Sequence, residues 1–593
     1  DRFNDLIEGG RLMERGYTFV MVDLRGFGGS NGCLDWGGPG EQADVVNAVQ
    51  WAANADGKGL STSTGAVGMY GKSYDAVTGL VGVNKQPAGL KAVVAQEPVY
   101  DLYRYLYGDG IRRANSVLTP ALYDGIAGTP GPLADDPSYT AASLNDPACL
   151  GQNFATQAAN DDHASDFWTQ RNLIPGAKGS DVPLFLTQGL TENNTVADGM
   201  AQYLDNHPGP ERAWLGPWEH VRGAETDEDG RLLMGRAGWY DEVMRFYDRY
   251  LQGRAPAVSD PPIAVQNNTG TWRAEQSWPP ADGRGLTTAL RAGEYQDTGQ
   301  SFSPGSDESA TSGVWTISPP LKRDAMLAGS GRVTLDVTTQ APRANLVVDV
   351  YELDENGSGP LITRQGRLLR DAGQQKVELD LWSADWKIPA GNRIAIRVTE
   401  TNLDWWLLTL GTQQTVTVNG GSTTLPFLRC QRGETIQGAP GTQLEGYLED
   451  QVTVPAEILA ESESSGFALP AALVPCSTGR GSAPASSSGG SSPAPRTTSA
   501  AARRRAVRVL AKLRAMSRGR LVVSGVAPRG AKLTVKLRRA GRTVATRRVT
   551  ARNGTYRVTF RVRRARRYSA RVTGTFAGRR LLATTRSARA RVK

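Results

Sequence analysis

Gly71-Lys72-Ser73-Tyr74-Asp75 stands between an apolar run, residues 66–70, and a helical pattern. A serine on a sharp strand-to-helix turn has its hydroxyl held out at the positive end of the helix, the setting of a nucleophile. The usual spacing is G-x-S-x-G, and Asp75 stands where the last glycine would avoid a clash in the turn. Ala76, the next residue, is small. A serine nucleophile needs a general base, and the base needs an orienting carboxylate. The chain has three histidines, His163, His207 and His220, so few residues compete for the base. Behind such an elbow the partners follow in the order serine, acid, histidine, each on a loop after a strand. His220, in GPWEH, follows the apolar run 213–218. His207, in DNHPGP, precedes that run, and His163, in NDDHASD, lies in a segment of different texture. A loop histidine is more often a solvated or capping residue, but chain order and scarcity favour catalysis for His220. Glu192, in GLTENNTV, is the first carboxylate after the run 182–190 and is the favoured acid. Asp198 competes with it, and capping of the next helix would account for Asp198.

These residues need a scaffold that gathers strand ends. Apolar runs at 17–23, 66–70, 90–95, 182–190 and 213–218 alternate with helical patterns around 41–54 and 240–251. That rhythm predicts a parallel sheet covered on both faces. Before it, Phe3, Leu6, Ile7 and Leu12 fall at helical spacing, with a stop at Gly16. The run YTFVMVD, 17–23, has the length and composition of a buried parallel strand. Residues from about 100 to 180 lack the rhythm and read as a mostly helical cap. From about residue 262, short alternating runs at 332–337, 345–353, 393–398 and 415–418, separated by turns such as DENG and PAGN, predict a β-sandwich or jelly roll. Residues 479–502 are rich in Gly, Ser, Pro and Ala, a flexible linker. Beyond it Leu533, Val535 and Leu537 alternate with Lys532, Thr534 and Lys536, and Tyr556, Val558, Phe560 and Val562 alternate with Arg557, Thr559, Arg561 and Arg563. Period-two alternation gives a small all-β unit with one buried and one cationic face.

The motifs VDLRGFGGSNG, VGMYGKSYDA, GLTENN, GPWEH, RFYDRYLQG and VQNNTGTWRAEQSWPP occur in this order over residues 1 to about 478. With them the chain resembles the X-Pro dipeptidyl-peptidase and cocaine-esterase-like (CocE/NonD) serine hydrolases. The resemblance implies an α/β-hydrolase domain over 1–258 with a helical cap at about 100–180, then a jelly-roll domain over 259–478. The basic segment 503–593 would be an added immunoglobulin-like unit. Ser73 is then the nucleophile, His220 the base, and Glu192 the acid where the family usually has Asp. The family usually has Gly where Ala76 lies. One oxyanion donor would be the Tyr74 N–H; the other would be a tyrosine hydroxyl from a loop earlier in the fold. The sequence starts at the helix expected to follow that loop, so an N-terminally incomplete copy is expected. The expected reaction is hydrolysis of an ester or amide through an acyl-enzyme, with peptides of penultimate proline among the substrates and no cofactor or metal. The competing reading is a catalytically impaired fragment that serves as a binding protein for the cell wall or another anionic polymer.

With 593 residues, 39% hydrophobic and 21% charged, the chain is neither disordered nor fibrous. No apolar run approaches the roughly 18 residues of a membrane helix. The formal charge of +9 conceals two opposite parts. Residues 481–593 hold 31 Lys and Arg with no Asp or Glu, and residues 1–480 hold the other 37 basic and all 59 acidic side chains. An anionic cell-wall or other polymer is therefore an expected partner, beside a solvated cationic face with no partner. Nucleic acid is disfavoured, because Tyr556 and Phe560 share the apolar face and do not interleave with the cations. The four cysteines, Cys33, Cys149, Cys430 and Cys476, lack metal-ligand spacing. They suit one or two disulfides in an exported protein, with Cys430–Cys476 the first choice, and equally suit four buried thiols. A secreted or cell-surface location is expected.

Overall fold

In the computed structural model the central apolar runs form a six-stranded sheet whose spatial order follows the chain. Strands β1 (Val67–Lys72), β2 (Leu90–Gln96), β3 (Leu184–Gly189), β4 (Glu211–Gly216) and β5 (Ile263–Gln266) are parallel, and β6 (Trp272–Glu275) closes the edge antiparallel. The structure describes residues 4–476 and 512–589, apart from 29, 128–146, 151, 299–310, 408–410, 433–434, 471–473, 516–519, 527–530, 540–541, 552–554, 563–566, 577–578 and 585–587. The chain divides into two units, Asp1–Arg480 and Gly481–Lys593.

Successive side chains leave a strand on opposite faces, and β2 shows the consequence. Val93 and Ala95 enter one core with α1 (Pro39–Ala52) and α2 (Tyr74–Lys85), through Val45, Val49, Val77 and Leu80. Ala92 and Val94 enter the other, beneath α4 (Trp239–Gln252), with Val243, Met244 and Tyr247. The short α3 (Met200–Asn206) leads from β3 to β4. Because the strands are parallel, the carboxyl ends of β1, β3 and β4 lie along one rim, where open α/β sheets bind ligands.

The expected strand at 17–23 is absent. Residues 17–23 carry no ladder, and Val20, Met21 and Val22 are 37%, 68% and 54% exposed. Apolar composition does not supply a partner: among the described residues the sheet ends at β1 on this side, and an unpaired strand leaves its N–H and C=O groups to water. The cap contains short helices, Leu102–Leu106, Thr119–Ala127, Pro147–Leu150, Phe154–Gln157 and Asp166–Thr169. It also holds a small hairpin absent from the sequence reading, whose strand Ile111–Arg113 pairs with Trp406–Leu407 of the β-rich region.

That β-rich region is two packed sheets. Arg332–Thr339 lies between Gly373–Asp380 and Thr415–Leu428, and Ala344–Leu353 between Ser358–Leu369 and Arg393–Thr399. Their inner faces share one core that includes Leu335, Val337, Leu346, Val348, Ile394 and Ile396. The strand expected at 415–418 runs on to Leu428. Cys33–Cys149 and Cys430–Cys476 are both disulfides. In the second unit β7 (Arg520–Val526), β8 (Lys532–Arg539), β9 (Arg542–Thr550), β10 (Thr555–Arg561) and β11 (Arg567–Phe576) form two sheets around Leu521, Val535, Tyr556 and Phe560. The linker read at 479–502 lies outside the described residues, as do Arg503, Arg504 and Arg505.

Candidate active site

Ser73 follows β1 directly and has φ +63° and ψ −124°, a left-handed backbone that a residue with a side chain rarely adopts. Both sides of the turn hold it there. Its N–H donates to Gln96 O at 2.9 Å, and its carbonyl accepts from Ala76 N and Val77 N in the first turn of α2. The hydroxyl is partly exposed and makes no hydrogen bond among the described residues. The departure at Asp75 has a local answer. A Cβ on Gly71 would lie 2.4 Å from the Asp75 carbonyl carbon and 2.6 Å from its Cβ. The tight approach thus falls on the first glycine of the motif, and a side chain at 75 fits because position 71 has none.

Of the two carboxylates considered, the structure brings Glu192 to His220. His220 Nδ1 lies 2.5 Å from Glu192 Oε1. Glu192 is fully buried; Oε1 also accepts from Thr195 N at 3.1 Å and Thr195 Oγ1 at 2.9 Å, and Oε2 accepts from Gln188 Nε2 at 3.2 Å. Gly189 lets the acid turn close onto the neighbouring loop, since a Cβ there would meet Trp218 O at 2.2 Å. Asp198 instead accepts from Arg104 Nη1 at 2.9 Å and Gln365 Nε2 at 3.3 Å. It does not cap α3, whose N-cap is Gly199; the Arg104 pair accounts for its position. His163 stacks on Tyr103 and lies 2.8 Å from Asp101 Oδ2, while His207 is buried between Glu211 Oε1 and Val182 O. Tyr74 opens α2, so its N–H is among those a helix leaves without an internal acceptor. Its side chain turns away into the core, where the hydroxyl donates to Glu41 and the ring packs 5.0 Å from Trp36.

Two contributors escaped sequence reasoning. Lys72, the x of the elbow, donates through Nζ to His220 O at 2.9 Å and so ties the nucleophile turn to the base loop. Glu97, just past β2, is fully buried behind Glu192. It accepts from Gly189 N at 2.7 Å, Trp218 Nε1 at 2.9 Å and Thr187 Oγ1 at 3.1 Å, and the Gln188 amide spans both glutamates. Two adjacent buried carboxyls cannot both ionise cheaply. Burial, and then the neighbouring Glu192, push Glu97 well above the usual carboxyl range. Burial raises Glu192 too, against hydrogen bonds from Glu97 and Thr195 that favour its charged form. The only sequence signal was a lone acid ending an apolar strand.

Burial, and then the Lys72 charge, lower the His220 ring to about 4. A base must be unprotonated to work, so a lowered ring extends activity toward acid. The acid limb of kcat/KM for an uncharged ester is therefore expected well below the roughly 6.5 of free imidazole. A pH series that places this limb at 6.5 or above would show that the Glu192 carboxylate outweighs burial and the Lys72 charge at the ring. Beside the pair lies a cavity of about 180 Å³, lined by Asn193 and Glu219 next to the acid and base, and by Tyr351, Trp405 and Tyr447 of the β-rich region.

A doubly covered parallel sheet that displays a strained serine, a buried acid and a histidine at the carboxyl ends of β1, β3 and β4 defines the α/β-hydrolase class. Comparison with known proteins narrows this. Residues 4–222 match the X-Pro dipeptidyl-peptidase (S15 family), and residues 256–437 match the X-Pro dipeptidyl-peptidase C-terminal non-catalytic domain. Those two stretches thus carry the catalytic and the non-catalytic part of this family of serine hydrolases. A Streptomyces avermitilis relative that carries the Xaa-Pro dipeptidyl-peptidase name is 25% identical over 378 residues, 58% of this chain and 53% of that one. The chain thus spans about half the length of that relative. The cocaine esterase of a Rhodococcus species is 26% identical over 306 residues, 45% of this chain and 50% of that one. Among solved structures, a CocE/NonD family hydrolase from Staphylococcus aureus superposes with a TM-score of 0.52 at 16% identity, over 68% of this chain and 79% of that one. That last likeness concerns the fold.

Proposed function

We propose that the chain hydrolyses ester or amide bonds by acyl transfer to Ser73. The observation that carries this reading is the Glu192–His220 contact on the rim that also holds the Ser73 elbow. Ser73 Oγ attacks the carbonyl and its proton passes to His220 Nε2. Ionised Glu192 accepts from Nδ1, fixes the tautomer and stabilises the imidazolium. The Tyr74 N–H donates to the oxyanion, and His220 returns the proton to the leaving group. Water then repeats the sequence on the acyl-enzyme. Relatives named as dipeptidyl-peptidases and as an esterase support both acyl classes, and a peptide with penultimate proline belongs in the substrate panel. Two disulfides support a location outside the reducing cytosol, secreted or at the cell surface. The test is a fluorophosphonate probe followed by peptide mapping. Label is expected on Ser73 and absent from Ser73→Ala; an unlabelled parent chain under conditions where a control hydrolase reacts sinks the proposal. A panel of Ala-Pro-nitroanilide and short acyl esters then separates peptidase from esterase.

A further inference from the structure

We propose that the outer face of the sheet β9–β8–β11 binds a linear phosphodiester polyanion that carries no bases. The inference goes beyond the hydrolase reading and does not depend on it. In β8 the side chains Leu533, Val535 and Leu537 enter the core, so Lys532, Thr534 and Lys536 lie on the opposite face. The ladder then gives the face row by row. Thr550 is opposite Lys532; Arg548 and Thr573 flank Thr534; Thr546 and Arg571 flank Lys536. Four cations and four threonine hydroxyls therefore share one surface, and Lys532, Lys536, Arg548 and Arg571 are all exposed.

The pattern is costly for an isolated unit. Lys536 and Arg571 are direct cross-strand neighbours, and like charges so placed are destabilising. Most domains would relieve the repulsion with an intervening carboxylate, but residues 481–593 contain no Asp or Glu. An anion laid across the rows relieves it. Same-face residues along a strand are about 6.8 Å apart and neighbouring strands about 4.8 Å apart, so several successive anionic groups of one chain meet cations together. Residue choice points to phosphate: two of the four cations on this face are the arginines Arg548 and Arg571. The guanidinium fork matches phosphate bidentately, and threonine hydroxyls can donate to the oxygens left over. Base recognition would need exposed rings, whereas Tyr556, Phe560 and Tyr568 are buried.

The test uses the full chain and poly(glycerol phosphate), with polyglutamate and single-stranded DNA of matched charge as comparators. Dissociation constants are measured across a salt series. Poly(glycerol phosphate) is expected to bind at least about tenfold more tightly than polyglutamate, with a log–log salt slope near three for four neutralised phosphates. Lys536→Thr with Arg571→Thr is expected to weaken binding about tenfold or more and to lower the slope by about one per cation removed. Lys532→Thr with Arg548→Thr is a second pair, which guards against a single misfolded variant, and ester hydrolysis of each variant reports on the first unit. Arg557→Thr, on the other sheet, is expected to change affinity less than either pair. Absence of binding at about 0.15 M salt, or a slope unchanged in both pairs, overturns the proposal. So does equal affinity for polyglutamate, tighter binding of DNA, or an equal loss in Arg557→Thr. Repetition in Ser73→Ala keeps this result separate from the fate of the hydrolase reading.

Discussion

Glu192→Gln is expected to lower kcat for an activated ester by about 10³–10⁴-fold, the range seen when a triad acid loses its charge. The carboxylate at 192 accepts from the imidazole at 2.5 Å and from both donors of Thr195. An amide keeps the volume but removes the charge that stabilises the imidazolium in the transition state. It must also present an NH₂ group either to the Thr195 amide or to the Gln188 amide, each already a donor. The loss should therefore fall on kcat, with phosphonylation of Ser73 slowed in parallel. Glu192→Asp keeps the charge on a stem one methylene shorter and is expected to retain more activity than the glutamine variant. Asp198→Asn separates the two acids: its partners are Arg104 and Gln365, so its effect on the chemical step should stay within about tenfold. Steady-state kinetics with melting temperatures for all three variants checks this. A fully active Glu192→Gln beside an inactive Asp198→Asn would reverse the assignment.

Gly71→Ala is expected to destabilise the first unit by about 1–3 kcal/mol and to cut hydrolysis about 100-fold or more. The new methyl would meet the Asp75 backbone carbonyl at 2.4 Å, and backbone cannot yield as the end of a flexible side chain can. Relief requires the strand end and the first turn of α2 to separate, and Ser73 sits between them. The hydroxyl then moves relative to His220, where a displacement of about 1 Å is enough for the stated loss. Thermal unfolding and kcat/KM measured together decide the matter. A variant with parental melting temperature and activity would show that the turn is looser than this geometry.

The sheet was legible because β2, β3 and β4 each hold a continuous apolar stretch, 92–95, 184–186 and 213–215, bounded by turn residues, a pattern that calls for helices on both faces. The run 17–23 has the same composition and forms no strand, since hydrogen bonding to a neighbour is not a property of one segment. Chain order brought Ser73, Glu192 and His220 to attention, but order alone could not choose between Glu192 and Asp198. That choice rests on Thr195, Gln188 and Arg104, which spacing does not connect. Glu97 and Lys72 were silent in the sequence for the same reason: each acts on a group more than ninety residues away.

What the sequence by itself determined is periodic and local: the strand and helix rhythm, the elbow peptide, and the separation of an acidic first part from a tail without a single carboxylate. In that tail the faces of β8 could be read directly, because side chains alternate strictly along a strand. The tertiary structure alone decided which carboxylate meets His220, where the elbow relieves its crowding, and that a second glutamate lies buried behind the first. Those outcomes depend on distances between parallel strand ends and on the loss of water around them, and both arise only when the sheet has closed.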